Sequence, residues 1–210
     1  MTKPRIVIMG PPGSGKSTQT EVLAKKLNLP HLSTGDLLRS IATQDTPLGR
    51  EIKHYQSQGA IVPDDLTLQL IKTLITKDEY QNGYVGEGFP RTIKQAEAME
   101  PLIDQVVYIK VADSTVVSRL LSRLVCSKCG ENYNLLTQPP KIPGQCDLCQ
   151  SILVNRSDDN QEVIQNRLRV YHQTTEPVIA FFQAKGKLLV IDGEPDITVV
   201  SELLLSSIQC

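Results

Sequence analysis

The chain has 210 residues, of which 40% are hydrophobic and 21% charged, with a formal net charge of −1, enough for one full core carrying inserts. Near-neutrality argues against a nucleic-acid partner, which usually meets a basic face, and no apolar run approaches the ~20 residues of a membrane span. Met1-Thr2-Lys3-Pro4 leads directly into the first apolar run, which predicts no signal or transit segment and a cytoplasmic protein.

The first predicted strand is Ile6-Val7-Ile8-Met9, followed by Gly10-Pro11-Pro12-Gly13-Ser14-Gly15-Lys16-Ser17-Thr18 and a helical pattern from Thr20 to Leu27. G-x-x-x-x-G-K-[ST] between a strand and a helix is a phosphate loop. Its glycines let successive N–H groups turn into one concavity, and the helix N-terminus adds unpaired donors and a positive dipole end. Gly13, Ser14, Gly15, Lys16, Ser17 and Thr18 therefore predict a nucleoside-triphosphate site. Lys16 reaches toward the β- and γ-phosphates, and Ser17 or Thr18 brings a hydroxyl toward Mg²⁺.

His31-Leu32-Ser33 reads as a short second strand, and Ser33-Thr34-Gly35-Asp36 as a helix start. From there to Val62 the pattern is a small helical insert broken at Pro47-Leu48-Gly49 and Gly59. Pro63-Asp64-Asp65 opens a helix with Leu66, Leu70, Ile71, Leu74 and Ile75 on one side. Gly83 to Gly88 predicts a buried strand ending in the carboxylate of Glu87, with Phe89-Pro90-Arg91 after it. Val106–Val111 and Leu188–Asp192 complete a set of strands alternating with helices, the pattern of a parallel sheet covered on both faces. Ligands of such sheets gather beyond the carboxyl ends of the strands, so the phosphate loop, Glu87 and Arg91 are expected in one crevice.

A helix from Asp113 to Leu124 would place Arg119 and Arg123 on one face, where guanidinium groups either meet solvent or clamp phosphate. Next come Cys126-x-x-Cys129, sixteen intervening residues and Cys146-x-x-Cys149. That spacing predicts a four-thiolate zinc site, structural because no coordination position stays open; two disulfides are the alternative. Lys128 and Lys141 balance Glu131 and Asp147 there, against a nucleic-acid role for this insert. Arg156 and Arg167 are further candidate anion ligands, with surface positions as the plainer reading. Val163 to Gln173 predicts a helix continuing toward a core segment, Pro177 to Phe182. His31, His54 and His172 meet no partner pattern, and Cys210 stands alone.

Several of these motifs, in this order, resemble the adenylate kinase family in its long form with a zinc-bearing lid. They are the phosphate loop, Ser33-Thr34-Gly35-Asp36-Leu37-Leu38-Arg39, Gly88-Phe89-Pro90-Arg91-Thr92 with Gln95, Arg119 and Arg123, the four cysteines, Arg156-Ser157-Asp158-Asp159 and Arg167-Leu168-x-x-Tyr171-His172. The resemblance implies an α/β fold: a five-stranded parallel sheet with helices on both faces, forming one P-loop kinase domain over residues 1–210. An AMP-binding insert at 33–62 and a zinc-bearing lid at 125–161 are implied with it. It also implies reversible, Mg²⁺-dependent phosphoryl transfer from ATP to AMP, giving two ADP, by a monomer with no nucleic-acid or membrane partner.

Carried over residue by residue, the resemblance implies that Thr34, Arg39, Arg91 and Gln95 hold AMP, with Gln95 reading adenine. Ala60, Ile61, Val62, Gly88, Phe89 and Pro90 would line that pocket, with Arg156 and Arg167 reaching it. Lys16, Arg91, Arg123, Arg156 and Arg167 would surround the transferred phosphoryl group, and Arg119, Tyr133 and the turn to Pro195 would border ATP. Two positions depart from the family pattern: Ser17 stands where glycine is common, and Glu87 replaces an aspartate, both in the expected Mg²⁺ environment. The competing readings are a kinase for UMP or CMP and a nucleotide-dependent switch protein.

Overall fold

The structure, a computed structural model, describes residues 4–156 and 159–208, so Ser157, Asp158 and Cys210 lie outside the described residues. The first half of the chain forms β1 (Arg5–Met9), α1 (Lys16–Leu27), β2 (His31–Ser33), α2 (Thr34–Ala42), α3 (Pro47–Ser57), α4 (Asp64–Ile75), β3 (Tyr84–Glu87), α5 (Ile93–Met99) and β4 (Gln105–Lys110). There follow α6 (Asp113–Leu121), β5 (Arg123–Cys126), β6 (Asn132–Asn134), β7 (Leu153–Val154), α7 (Gln161–Val170), α8 (Glu176–Ala184), β8 (Leu188–Asp192) and α9 (Ile197–Ser207).

Five strands pair in the order β2-β3-β1-β4-β8, each pair parallel. Side chains alternate along a strand, and β1 divides its residues accordingly between two cores. Ile6 and Ile8 pack with Leu23 of α1, Leu120 of α6, Ile164 of α7 and Leu204 of α9. Val7 and Met9 pack with Ile71 of α4, Met99 of α5 and Phe182 of α8. Continuous apolar strands thus need helices on both faces, and the chain supplies them. The chain leaves β1 for β2 and β3 on one side, then crosses to β4 and β8 on the other. The crevice opens at that switch, beyond the carboxyl ends of β1 and β3.

Two smaller units rise from this frame. Helices α2 and α3 close over Leu38, Ile52 and Val62, joined by Leu66 and Leu70 of α4. The apolar side of α4 is therefore shared: Leu68, Ile71, Leu74 and Ile75 serve the main core instead. The second unit is the antiparallel sheet β6-β5-β7, with Leu124 opposite Tyr133 and Cys126 opposite Leu153.

One expectation fails here. The helix predicted to reach Leu124 stops at Leu121, and Arg123 opens β5, so Arg119 and Arg123 do not share a helical face. The N–H of Ser122 closes the last turn onto Ser118. Beyond it, pairing with strands on both sides satisfies the backbone that a longer helix would have used.

Helices α7 and α8 are joined by a π-helical turn, Tyr171–Thr175, a form that concentrates at functional sites. Thr175 donates to the carbonyl of Arg91 (3.0 Å), which ties the turn to the crevice. His172, to which the sequence assigned no chemistry, bridges Glu176 through Nδ1 (2.8 Å) and Asp113 through Nε2 (3.0 Å). The hydrogen bond to Glu176 and then that to Asp113 raise its pKa above the ordinary value. Its stabilisation is therefore complete below the unfolded value of ~6.5 and is lost as pH rises through the higher folded value. With 42% of the side chain exposed, the pair is screened. His172→Gln should cost less than ~1 kcal/mol at mildly acidic pH and nothing at alkaline pH, as checked by denaturant titration at both.

Candidate active site

The phosphate loop needs backbone that side chains would obstruct. Gly13 and Gly15 adopt positive φ angles of +74° and +87°, and a β-carbon at Gly13 would lie 2.9 Å from Cγ of Leu120. The buried Ser14 Oγ finds no hydrogen-bond partner among the described residues, as expected of a donor that faces an anion site. Lys16 opens α1 and donates to the carbonyl of Pro11 (2.7 Å). Burial, followed by the positive charges of Arg91, Arg167 and Arg123, pulls its pKa down to about 7 against the opposing pull of Glu87.

Parallel register sets Glu87 beside Ile8, at the mouth of the loop. Its carboxylate accepts from Ser17 Oγ (2.5 Å) and Ser33 Oγ (3.2 Å), and His31 Nε2 lies 3.7 Å away. Burial by itself would raise the Glu87 pKa, but His31, Lys16 and Ser17 hold it at about 2. His31 in turn is raised, with burial opposing and Glu87 prevailing. The hydroxyl of Ser17 and the carboxylate of Glu87 form an oxygen pair of the kind Mg²⁺ accepts.

The arginines are held by carboxylates and carbonyls. Arg123 donates through Nε and Nη2 to both oxygens of Asp159 (2.6 Å each), and Arg167 adds a contact at 3.3 Å. The Asp159 side chain is only 2% exposed, so one buried carboxylate spans β5 and α7. Arg91 donates to the carbonyl of Gly88 (2.8 Å), and burial, with Arg167 next, draws its pKa down to about 10. Arg119 grips the carbonyls of Gly193 (2.9 Å) and Glu194 (3.1 Å), Arg156 donates to Asn132 (2.6 Å), and Arg39 pairs with Asp36.

Two cavities meet at these cations. The first, about 300 Å³, is lined by Thr34, Arg39, Ala60, Ile61, Val62, Phe89, Pro90 and Gln95 among others. The second, about 530 Å³, is lined by Gly13 to Thr18, Glu87, Arg119, Arg123, Tyr133, Arg156 and Pro195 among others. Lys16, Gly88, Arg91 and Arg167 border both. Thr34 Oγ1, in the wall of the first cavity, is buried without a hydrogen-bond partner among the described residues.

All four sulfurs of Cys126, Cys129, Cys146 and Cys149 lie within 4.8 Å of one another, with Cys126–Cys149 at 3.3 Å and Cys129–Cys146 at 3.6 Å. They are free thiols, which overturns the disulfide alternative. Four sulfurs about one zinc at ~2.3 Å would stand roughly 3.8 Å apart, so the cluster fits that metal. The N–H groups of Lys128 and Cys129 point at Cys126 Sγ (3.5 Å each). Tyr133 lines the second cavity, but its hydroxyl serves the cluster, donating to Cys146 Sγ (3.5 Å) and accepting from Asp147 N–H (2.7 Å).

The adenylate kinase family model matches residues 8–187 of this chain. An adenylate kinase of Thermosipho africanus is 41% identical over 207 residues, covering 95% of this chain and 97% of the relative. That of Clostridium novyi is 38% identical over 212 aligned positions, covering 98% of each, and that of Clostridium perfringens 40% over 205, covering 94% and 95%. The chain belongs to the adenylate kinase family. It is accordingly a phosphotransferase of the nucleoside-monophosphate kinase type, built on the P-loop kinase fold.

Within that family framework, sequence reasoning missed three acidic or basic groups. Asp159, which the sequence offers only as the end of the run Arg156-Ser157-Asp158-Asp159, clamps Arg123 and Arg167. His31 faces Glu87 across β2 and β3, and Asp64 accepts from Thr92 Oγ1 (2.9 Å) and Gln95 Nε2 (2.8 Å). Arg123, Glu87, Thr92 and Gln95 are remote in sequence from these partners, and Arg167, eight residues from Asp159, fits no motif spacing, so spacing gave no signal.

The small core around the cysteines holds Tyr133 and Leu153, while Leu135, Leu136, Ile142, Leu148 and Ile152 remain exposed. Apolar burial alone cannot hold such a unit. Cys129→Ser should therefore release about one equivalent of copurifying zinc and increase hydrogen exchange across 125–154 before the five-stranded core is affected. Metal analysis and exchange mass spectrometry check both.

Proposed function

We propose that this enzyme transfers the γ-phosphoryl group of ATP reversibly to AMP, giving two ADP. The observation that carries the reading is the pair of cavities sharing a wall of Lys16, Arg91 and Arg167. Two nucleotides seated on either side of that wall present their phosphates to the same cations.

The second cavity takes ATP. Its triphosphate lies on the backbone donors of Gly13 to Thr18 with Lys16, and Arg119, Tyr133 and Pro195 border the nucleoside. The first takes AMP, its phosphate on Arg39, Arg91 and Arg167, with Arg156 reaching toward it from the second cavity, and its base on Gln95. Thr34, with an unpartnered buried hydroxyl, and the walls from Ala60 to Val62 and Gly88 to Pro90 complete that pocket. An oxygen of the AMP phosphate attacks the γ-phosphorus as the bond to the β-γ bridging oxygen breaks. Lys16, Arg91, Arg123, Arg156 and Arg167 neutralise the equatorial oxygens and hold the reactants in line.

Mg²⁺ bound with ATP would be held by Ser17 and Glu87, and it supplies further neutralisation of phosphate charge. Residues 33–62 form the AMP-binding insert and residues 125–161 a lid that excludes water. The cysteine cluster carries structural zinc in that lid. Free, clustered thiols suit a reducing cytoplasm, near-neutral charge suits a protein without a nucleic-acid partner, and family resemblance supports a monomer.

An ADP-forming assay over AMP, UMP, CMP and GMP tests the reading, with AMP expected to dominate; a preference for UMP or CMP would replace it. Lys16→Met should lower kcat by at least ~10²-fold, the loss of one preorganised donor to the transition state. Glu87→Gln keeps size and removes charge. It should raise the Mg²⁺ concentration needed for half-maximal rate while leaving AMP affinity nearly unchanged, and an unaltered Mg²⁺ titration would remove Glu87 from the metal environment.

A further inference from the structure

The carboxamide of Gln95 is one of the chemically two-faced groups in the first cavity. Turned one way it offers oxygen then nitrogen; turned over, nitrogen then oxygen. Its orientation here is dictated by partners that cannot change roles. Oε1 accepts from the backbone N–H of Arg91 (2.8 Å), which only donates. Nε2 donates to Oδ1 of Asp64 (2.8 Å), and an ionised carboxylate only accepts. Turning the amide over would set donor against donor at Arg91 and acceptor against acceptor at Asp64.

Asp64 is itself held. Thr92 caps α5 by accepting from the N–H of Gln95 (3.1 Å), which leaves its hydroxyl proton for Asp64 Oδ1 (2.9 Å). The first residue of α4 is thereby stitched to the first turn of α5 directly behind the group that reads the base. Gln95 is 1% exposed and borders the cavity, and one N–H and one oxygen lone pair remain to it after these bonds.

We propose that Asp64 is a specificity-determining positioning residue, fixing the Gln95 amide in the one orientation that accepts adenine. The inference rests on the AMP reading of the first cavity. Adenine presents an amino donor at position 6 beside an acceptor ring nitrogen; hypoxanthine presents the same outline with a carbonyl acceptor beside a ring N–H. An amide free to turn over serves both edges, whereas one anchored by a carboxylate serves only the first. A site that hydrogen-bonds with a fixed donor order rejects the wrong partner strongly, because the mismatch leaves buried polar groups unpaired.

The probe is inosine monophosphate, assayed against AMP with the full-length enzyme and saturating Mg²⁺-ATP. The readout is the ratio of the two kcat/KM values. Wild type should favour AMP strongly. Asp64→Ala and the near-isosteric Asp64→Leu, which leave no acceptor for Gln95 Nε2, should each lower that ratio by about tenfold or more, the scale of one charge-assisted hydrogen bond, with the AMP value falling and the inosine value holding or rising. Asp65→Asn breaks the neighbouring contact to Lys94 (2.7 Å), which joins the same two helices without touching Gln95, and should leave the ratio unchanged. If Asp64→Leu is folded and both substrates decline together at a constant ratio, Asp64 is only a structural staple and the proposal is overturned. If Asp64→Ala does not fold, the result with Asp64→Leu decides alone. A wild-type enzyme that uses UMP or CMP in preference to AMP would instead overturn the reading of the cavity, and this inference with it.

Discussion

Charge convergence at the carboxyl ends of β1 and β3 is the constraint around which the molecule is arranged. Lys16, Arg91, Arg123 and Arg167 lie close enough that three of them lower the pKa of the fourth. Desolvated like charges are costly to hold together. The structure offsets that cost with two buried carboxylates, Glu87 against Lys16 and Asp159 against Arg123 and Arg167. A polyphosphate entering such a place meets cations already positioned and dehydrated, which is what phosphoryl transfer asks of a protein.

The sheet makes this arrangement affordable. Every residue from Ile6 to Met9 is buried, alternate side chains going to opposite cores, so the loop after β1 springs from the fully buried central strand of the sheet. Register then delivers Glu87 to the loop without any contact close in sequence. The groups that touch substrate in the proposed reaction are in turn backed by a second layer: Ser17, Ser33 and His31 around Glu87, Asp64 and Thr92 around Gln95, and Thr175 at the carbonyl of Arg91.

The two small units are held by different forces. Helices α2 and α3 keep an apolar cluster of their own and borrow Leu66 and Leu70 from α4. The sheet β6-β5-β7 has little to bury and depends on four sulfurs. That unit joins the core through β5 and α7, where Arg123 and Arg167 meet on Asp159.

Local chemistry made much of this legible from the sequence alone. The phosphate loop is a contiguous run whose function follows from backbone geometry, and the cysteine pairs announce themselves by spacing, because two short turns must each present two thiolates. Strands such as Ile6–Met9 are legible because burial on both faces demands unbroken apolar sequence. Pairings between remote segments were not legible. Strand competition decided that Arg123 leaves the helix of Arg119 for β5. Sheet register decided that Ser33 stands opposite Glu87 with His31 reaching it diagonally, and the meeting of α4 with α5 decided that Asp64 holds Gln95. A side chain's intrinsic chemistry is written in its own residue, but its protonation and orientation depend on neighbours that only folding brings near.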